Sequence, residues 1–241
     1  MTPTSDALPP FTVQQDDYLL FADKPAGMLA VPGRGPDKQD CLLTRLQAQD
    51  PAILLVHRLD QATSGLMVFA RSLPVQKRLS AMFSGREIQK RYLATVHGKL
   101  QPHTGTVKLP LMADWPQRPR QKVDLQHGKP SQTDWEALDY DPDTDTSRLQ
   151  LSPVTGRTHQ LRVHMMAIGH PIVGDTLYGP TATPTRAAGA VGLICAIGAG
   201  DSAGAAGAAG AENTPRMLLH AHALSLPHPV TGEWLEVVLR P

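Results

Sequence analysis

The sequence predicts an α+β fold built on a largely antiparallel sheet. Apolar segments of strand length outnumber segments with helical spacing. The two kinds also do not alternate in the regular order that a parallel βαβ sheet requires. The chain of 241 residues is 41% hydrophobic and 19% charged, a globular composition long enough to bury a sizeable core.

Residues 1–16, rich in proline near their start, read as a loose arm, and 17–241 as one domain. Tyr18 to Ala22 is a short strand, and Lys24 to Gly27 a turn. Residues 40–48 carry apolar side chains at helical spacing behind an Asp40 cap. Ile53 to Val56 and Leu66 to Ala70 are strands joined by the polar stretch 57–65. Val75 to Phe83 is a helix and Ile88 to His97 a strand. From Thr104 to Pro153 short strands alternate with turns, and acidic residues crowd into 134–145. Thr158 to Ile168 is a helix with Leu161, Met165 and Ile168 on one face, stopped at Gly169. Residues 181–213 are mostly Ala, Gly, Thr and Pro and read as a flexible insertion. The strands His220 to Leu226 and Trp234 to Leu239 close the chain.

Lys plus Arg number 23 and Asp plus Glu 22, so the chain is not a polycation and any nucleic-acid affinity must come from a local face. Two cysteines are too few for a disulfide framework and suit a reducing compartment. The N-terminus has no secretory pattern. The longest weakly apolar run, Ala187 to Gly200, has 14 residues, short of the roughly 20 that span a bilayer. These readings predict a cytoplasmic protein without a membrane span.

Chemistry concentrates in three polar stretches. Nine mostly polar residues, 57–65, join two apolar strands, which is long for a hairpin loop of about 2–5 residues. Asp60 stands there beside Arg58. On its own it reads equally as an Asp capping its own turn. Residues 155–164 lead into a helix whose N-terminal amides, with Arg157, suit an anion: a phosphate, or a carboxylate such as Asp60. Residues 77–92 carry Lys77, Arg78, Arg86, Lys90 and Arg91 against Glu87 alone, and Arg118, Arg120 and Lys122 add a further basic spot. Such clusters suit phosphate contacts or a solvated face. Gly200 to Gly204 matches the GxSxG pattern of a serine hydrolase with Ser202 as nucleophile, but an Ala/Gly-rich segment produces that pattern cheaply. His159 and His164 are five apart, off one helical face, and no CxxC or HExxH occurs.

Four motifs in order, HRLDQATSG (57–65), KRYLATVHG (90–98), GRTHQLRVHMMAIGHPIVGDTLYG (156–179) and RMLLHAHAL (216–224), resemble those of the RluA family of pseudouridine synthases. ADKPAGMLAVPG (22–33) and DWPQRPRQKV (114–123) resemble its short members, which lack an S4 RNA-binding domain. The resemblance covers most of the chain; the long 181–213 segment departs from it. It implies the pseudouridine synthase fold, a mixed, mainly antiparallel sheet flanked by helices and loops, and isomerisation of uridine in RNA without cofactor or metal. Asp60 would be the catalytic carboxylate, acting as a nucleophile or by removing a C2′ proton, with Arg157 holding it ionised. Tyr92 would stack on the target base or take its C5 proton, Arg58 would fill the gap left by the everted base, and Leu219 would wall the base pocket. Lys90, Arg91, Arg118 and Arg120 would bind RNA, either a tRNA anticodon stem-loop or a 23S ribosomal RNA hairpin, and the enzyme would be a monomer. A non-catalytic RNA-binding protein would share the basic clusters but has no use for Asp60 and Tyr92.

Overall fold

A computed structural model describes residues 10–180 and 216–240. The 181–213 insertion, with Ser202, lies outside the described residues. A sheet of ten strands organises the chain, in the order β1 (Thr12–Gln15), β2 (Leu19–Lys24), β4 (Ser64–Ala70), β11 (Leu219–Pro227), β5 (Gln89–His97), β10 (Thr146–Pro153), β9 (Thr133–Asp141) and β6 (Thr104–Val107). The short β3 (Leu54–Leu55) pairs with β4, and β12 (Trp234–Val238) with β11. Among the described strands, β4–β11 is the one parallel pairing. A separate hairpin, β7 (Leu111–Ala113) and β8 (Gln121–Val123), stands beside the sheet.

Every residue of β4 is buried, as its nearly unbroken apolar run requires of a strand covered on both faces. One face is covered by α2 (Leu73–Gly85), which presents Val75, Leu79 and Met82 to Leu66, Val68 and Leu224. Those three positions, spaced by four and three residues, make one helical stripe. The other face packs Met67 and Phe69 against Leu42 and Leu46 of α1 (Leu42–Gln47). A third cluster joins Ala94, Val96, Leu149 and Leu151 of β5 and β10 to Leu161 and Met165 of α3 (Gln160–Ala167).

Gly65 opens the seam between β4 and β11. Its φ is +109°, and a Cβ there would lie 2.4 Å from the carbonyl oxygen of Ala221, so only glycine permits the two backbones to approach this closely.

Three local expectations change. Residues 12–15 are not part of a loose arm: they form β1 and pair with β2. The cap of α1 is Cys41, whose sulfur accepts from the Thr44 amide at 3.4 Å, while Asp40 pairs with Arg45 at 2.7 Å. The helix expected from Thr158 begins at Gln160, because His159 takes a left-handed φ of +53° and acts as its N-cap. That late start sets Arg157 apart from the helix.

Candidate active site

Asp60 sits on the loop that leads from β3 into β4, with its side chain 25% exposed. The loop is held from below. The Gln61 backbone carbonyl accepts from the Gly27 amide at 2.8 Å and from the Lys24 ammonium at 3.1 Å, and the Gln61 side-chain Nε2 donates to the Gly27 carbonyl at 2.9 Å. Gly27 can meet it because its φ is +86°. Lys24 is fully buried and also donates to the carbonyls of Pro25 (2.9 Å) and Met28 (2.7 Å). Its three donors therefore tie the β2 turn to the Asp60 loop. Within the loop, His57 accepts the Val68 amide at 3.0 Å and lies 4.7 Å from the Phe83 ring. Burial pushes its imidazole down to about 3, with the Lys90 charge adding to the effect. His57 is thus a neutral brace for the loop.

Two clefts meet at Asp60. One, of about 510 Å³, is lined by Tyr92, Leu219, Arg58, Lys90 and Arg157. The other, of about 840 Å³, is bordered by Arg34, Arg118 and Arg120. Arg58, His159 and Arg162 line both. Most of the residues singled out from sequence therefore converge on one carboxylate.

Arg157 does not pair with it. Its Nε donates to the Pro130 carbonyl at 3.3 Å, and its exposed side chain stands at the rim of the first cleft. The guanidinium against Asp60 is that of Arg162, with Nη1 3.5 Å from Oδ2. Arg162 is 4% exposed and clasps Asp175 with two bonds, at 2.7 and 2.8 Å. Burial opposes the ionisation of both partners. For Arg162, the Asp175 hydrogen bonds and charge outweigh it and raise the guanidinium above its usual range. For Asp175, Arg162 and the Leu177 and Tyr178 amides outweigh it and hold the carboxyl low. A fixed, ionised cation thus faces Asp60.

His159 completes the surround, with Nε2 3.9 Å from Asp60 Oδ2 and Nδ1 2.8 Å from the Tyr178 hydroxyl. Burial lowers its imidazole pKa against the opposing pull of Asp60. Arg162, Asp175 and Lys24 were not singled out from sequence as site residues. In the helix expected from Thr158, His159 and Arg162 stand three apart and would share a face, which was a usable signal. A lysine in a turn gives none.

On β5, alternation separates neighbouring side chains. Lys90 and Tyr92 face the first cleft, whereas Arg91 points to the opposite face and pairs with Glu236 of β12. Arg91 is therefore not among the groups gathered at Asp60. Burial, then the nearby Asp60 charge, raise the Tyr92 phenol well above its usual range. Tyr92 accordingly presents a neutral ring at pH 7, which disfavours a phenolate base. Leu219, 3% exposed at the start of β11, walls the same cleft.

The buried lysine gives a pH test. Burial pushes Lys24 down to about 8 from 10.5, although the Asp60 and Asp23 charges pull the other way. Between those values the unfolded chain holds the proton and the folded chain does not, so the contribution of Lys24 to stability rises with pH. Lys24→Met leaves three carbonyls short of a donor and is expected to cost about 2–4 kcal/mol at pH 7. Urea unfolding should show the wild-type advantage widening from pH 8 to pH 10. A constant difference overturns the assignment.

A sequence profile of the RNA pseudouridylate synthases matches residues 18–167. The chain is 43% identical over 218 residues to the dual-specificity RNA pseudouridine synthase RluA of Escherichia coli K12, an alignment covering 90% of this chain and 87% of that protein. It is 49% identical over 167 residues to RluA of Vibrio vulnificus, covering 68% of this chain and 67% of that protein. Among solved structures, human RNA pseudouridylate synthase domain containing 1 superimposes with a TM-score of 0.68 at 26% identity, covering 100% of this chain and 86% of that one.

Proposed function

The chain belongs to the RNA pseudouridylate synthase family, and from that premise we propose that Asp60 is its catalytic carboxylate and that its substrates are a tRNA anticodon stem-loop, a 23S ribosomal RNA hairpin, or both. The reaction class follows from the family: uridine in RNA is isomerised to pseudouridine. The N1–C1′ bond breaks, a C5–C1′ bond forms, the C5 proton leaves and N1 gains one. Atoms and electrons balance without a redox partner.

The observation that carries the proposal is the placement of Asp60. It stands where two clefts meet, held by a loop tied to a buried lysine, with an ionised arginine against it. Either route, attack on C1′ or removal of the C2′ proton, needs the carboxylate ionised and aimed at the sugar, and the Arg162 contact serves both. Tyr92 and Leu219 offer a ring face and an apolar wall to a base turned out of its stack. Arg58, exposed at the mouth of both clefts, is placed to occupy the space that base vacates. Lys90, Arg157, Arg118 and Arg120 border the approach and suit RNA phosphates. RNA sequence is read chiefly in unpaired loops, which both proposed substrates offer.

We place the protein in the cytoplasm as a monomer. Among the described residues no helix is long and apolar enough to cross a membrane. The test is tritium release from [5-³H]uridine-labelled tRNA and ribosomal RNA transcripts, with the product position mapped. Release of one equivalent from a stem-loop uridine is the expected result. No release from either RNA overturns the substrate proposal, and binding without release favours a non-catalytic RNA-binding role.

A further inference from the structure

The hairpin of β7 and β8 carries at its tip a short 3-10 turn, Trp115–Gln117. Its base is fixed to the body. Leu111 and Val123 pack with Val163, Met166 and Tyr178, and the Tyr178 hydroxyl accepts the Gln121 amide at 2.7 Å. The tip itself is unlike a buried turn. Trp115 is 64% exposed, and the Arg118 guanidinium lies over its indole, with Cζ 3.6 Å from the ring centroid. Arg118 also borders the cleft that contains Asp60.

We propose that Trp115 and Arg118 form a stacking platform for an unpaired RNA base near the target uridine. This rests on the reading that a stem-loop RNA is the substrate. An indole beneath a guanidinium restrains a long side chain that otherwise samples many rotamers, and it leaves the second face of the planar group open. Unpaired bases stack on such planes, and on aromatic rings, regardless of base identity. The cleft shared by Arg118 and Asp60 places the platform within reach of a strand whose uridine is turned toward the carboxylate. A lysine at 118 would match the charge but not the plane. Arg118 then acts on a base, whereas Arg120 and Arg157 serve phosphates.

The experiment measures Kd across a salt series, using stem-loop RNAs in which each loop nucleotide in turn is made abasic. Wild-type enzyme should lose about tenfold in affinity at one abasic position, the scale of one base–plane stack. Arg118→Lys and Trp115→Ala should each weaken the parent RNA by a similar factor and leave that one abasic RNA unaffected. Trp115→Phe should restore most of the loss. The log–log salt slope should stay at its wild-type value in all three. Wild-type affinity in Arg118→Lys overturns the proposal, and a slope reduced by about 0.7 in Trp115→Ala assigns Arg118 to a phosphate instead. Tritium release by the wild type on the parent RNA is measured alongside. Its absence fails the substrate reading, while release without any abasic sensitivity fails the platform alone.

Discussion

Asp60→Asn is expected to abolish pseudouridine formation while RNA affinity stays within about tenfold, or ~1.4 kcal/mol. The amide matches the carboxylate in shape, so the loop tied to Gly27 and Lys24 keeps its course. It can neither attack C1′ nor accept a C2′ proton, so both routes stop. The fold should survive, because Arg162 retains its two bonds to Asp175 when the contact at 3.5 Å loses its charge. Tritium release from labelled stem-loop RNA is the readout. Release above a no-enzyme control shows that the chemistry belongs to another residue.

The second large effect is expected at Arg162. Arg162→Met removes the guanidinium between two carboxylates and leaves Asp175, whose side chain is fully buried, without its cation. A broken buried pair costs about 3–5 kcal/mol, and Asp60 loses its fixed neighbour as well, so soluble variant should turn over at a small fraction of the wild-type rate. The pH dependence has a definite sign. In the wild type the Asp175 carboxyl lies below its ordinary value of 3.8, so the pair contributes stability above that pH and loses it as pH falls through the lowered value. In the variant the lone carboxylate is penalised while ionised and relieved by protonation. The stability deficit should therefore be largest at neutral pH and shrink towards pH 4. Arg157→Ala is the control: its exposed side chain predicts a stability change within about 0.5 kcal/mol and a rise in KM rather than a collapse of kcat. Equal losses in the two variants would show that Arg162 has no special bearing on Asp60.

The strands were legible wherever side-chain burial alone sets the pattern. The run 66–70 reads as buried because every position in β4 is apolar or small, and α2 shows its stripe at Val75, Leu79 and Met82. Asp60 stood out because a polar loop interrupted two apolar strands. Its partner was misread because a two-residue shift in the start of α3, caused by the left-handed His159, exchanges which arginine turns inward. Lys24 was illegible for a different reason: its burial depends on three carbonyls, two from the turn that follows it and one from the Asp60 loop 37 residues away. Strand alternation did separate Arg91 from Lys90 and Tyr92, but only once β5 had a defined inner face.

The order of the sheet has a consequence for synthesis. β11 lies in its middle, between β4 and β5, yet it is encoded more than a hundred residues after both. Until Leu219–Pro227 has left the ribosome, the sheet is two unjoined halves, and the cleft lacks the wall that Leu219 provides. Closing so long a loop is slow relative to local pairing. A nascent chain therefore carries Asp60 and Tyr92 through most of translation without a competent pocket around them. The carboxylate and the apolar wall of its cleft come together only when that late strand inserts.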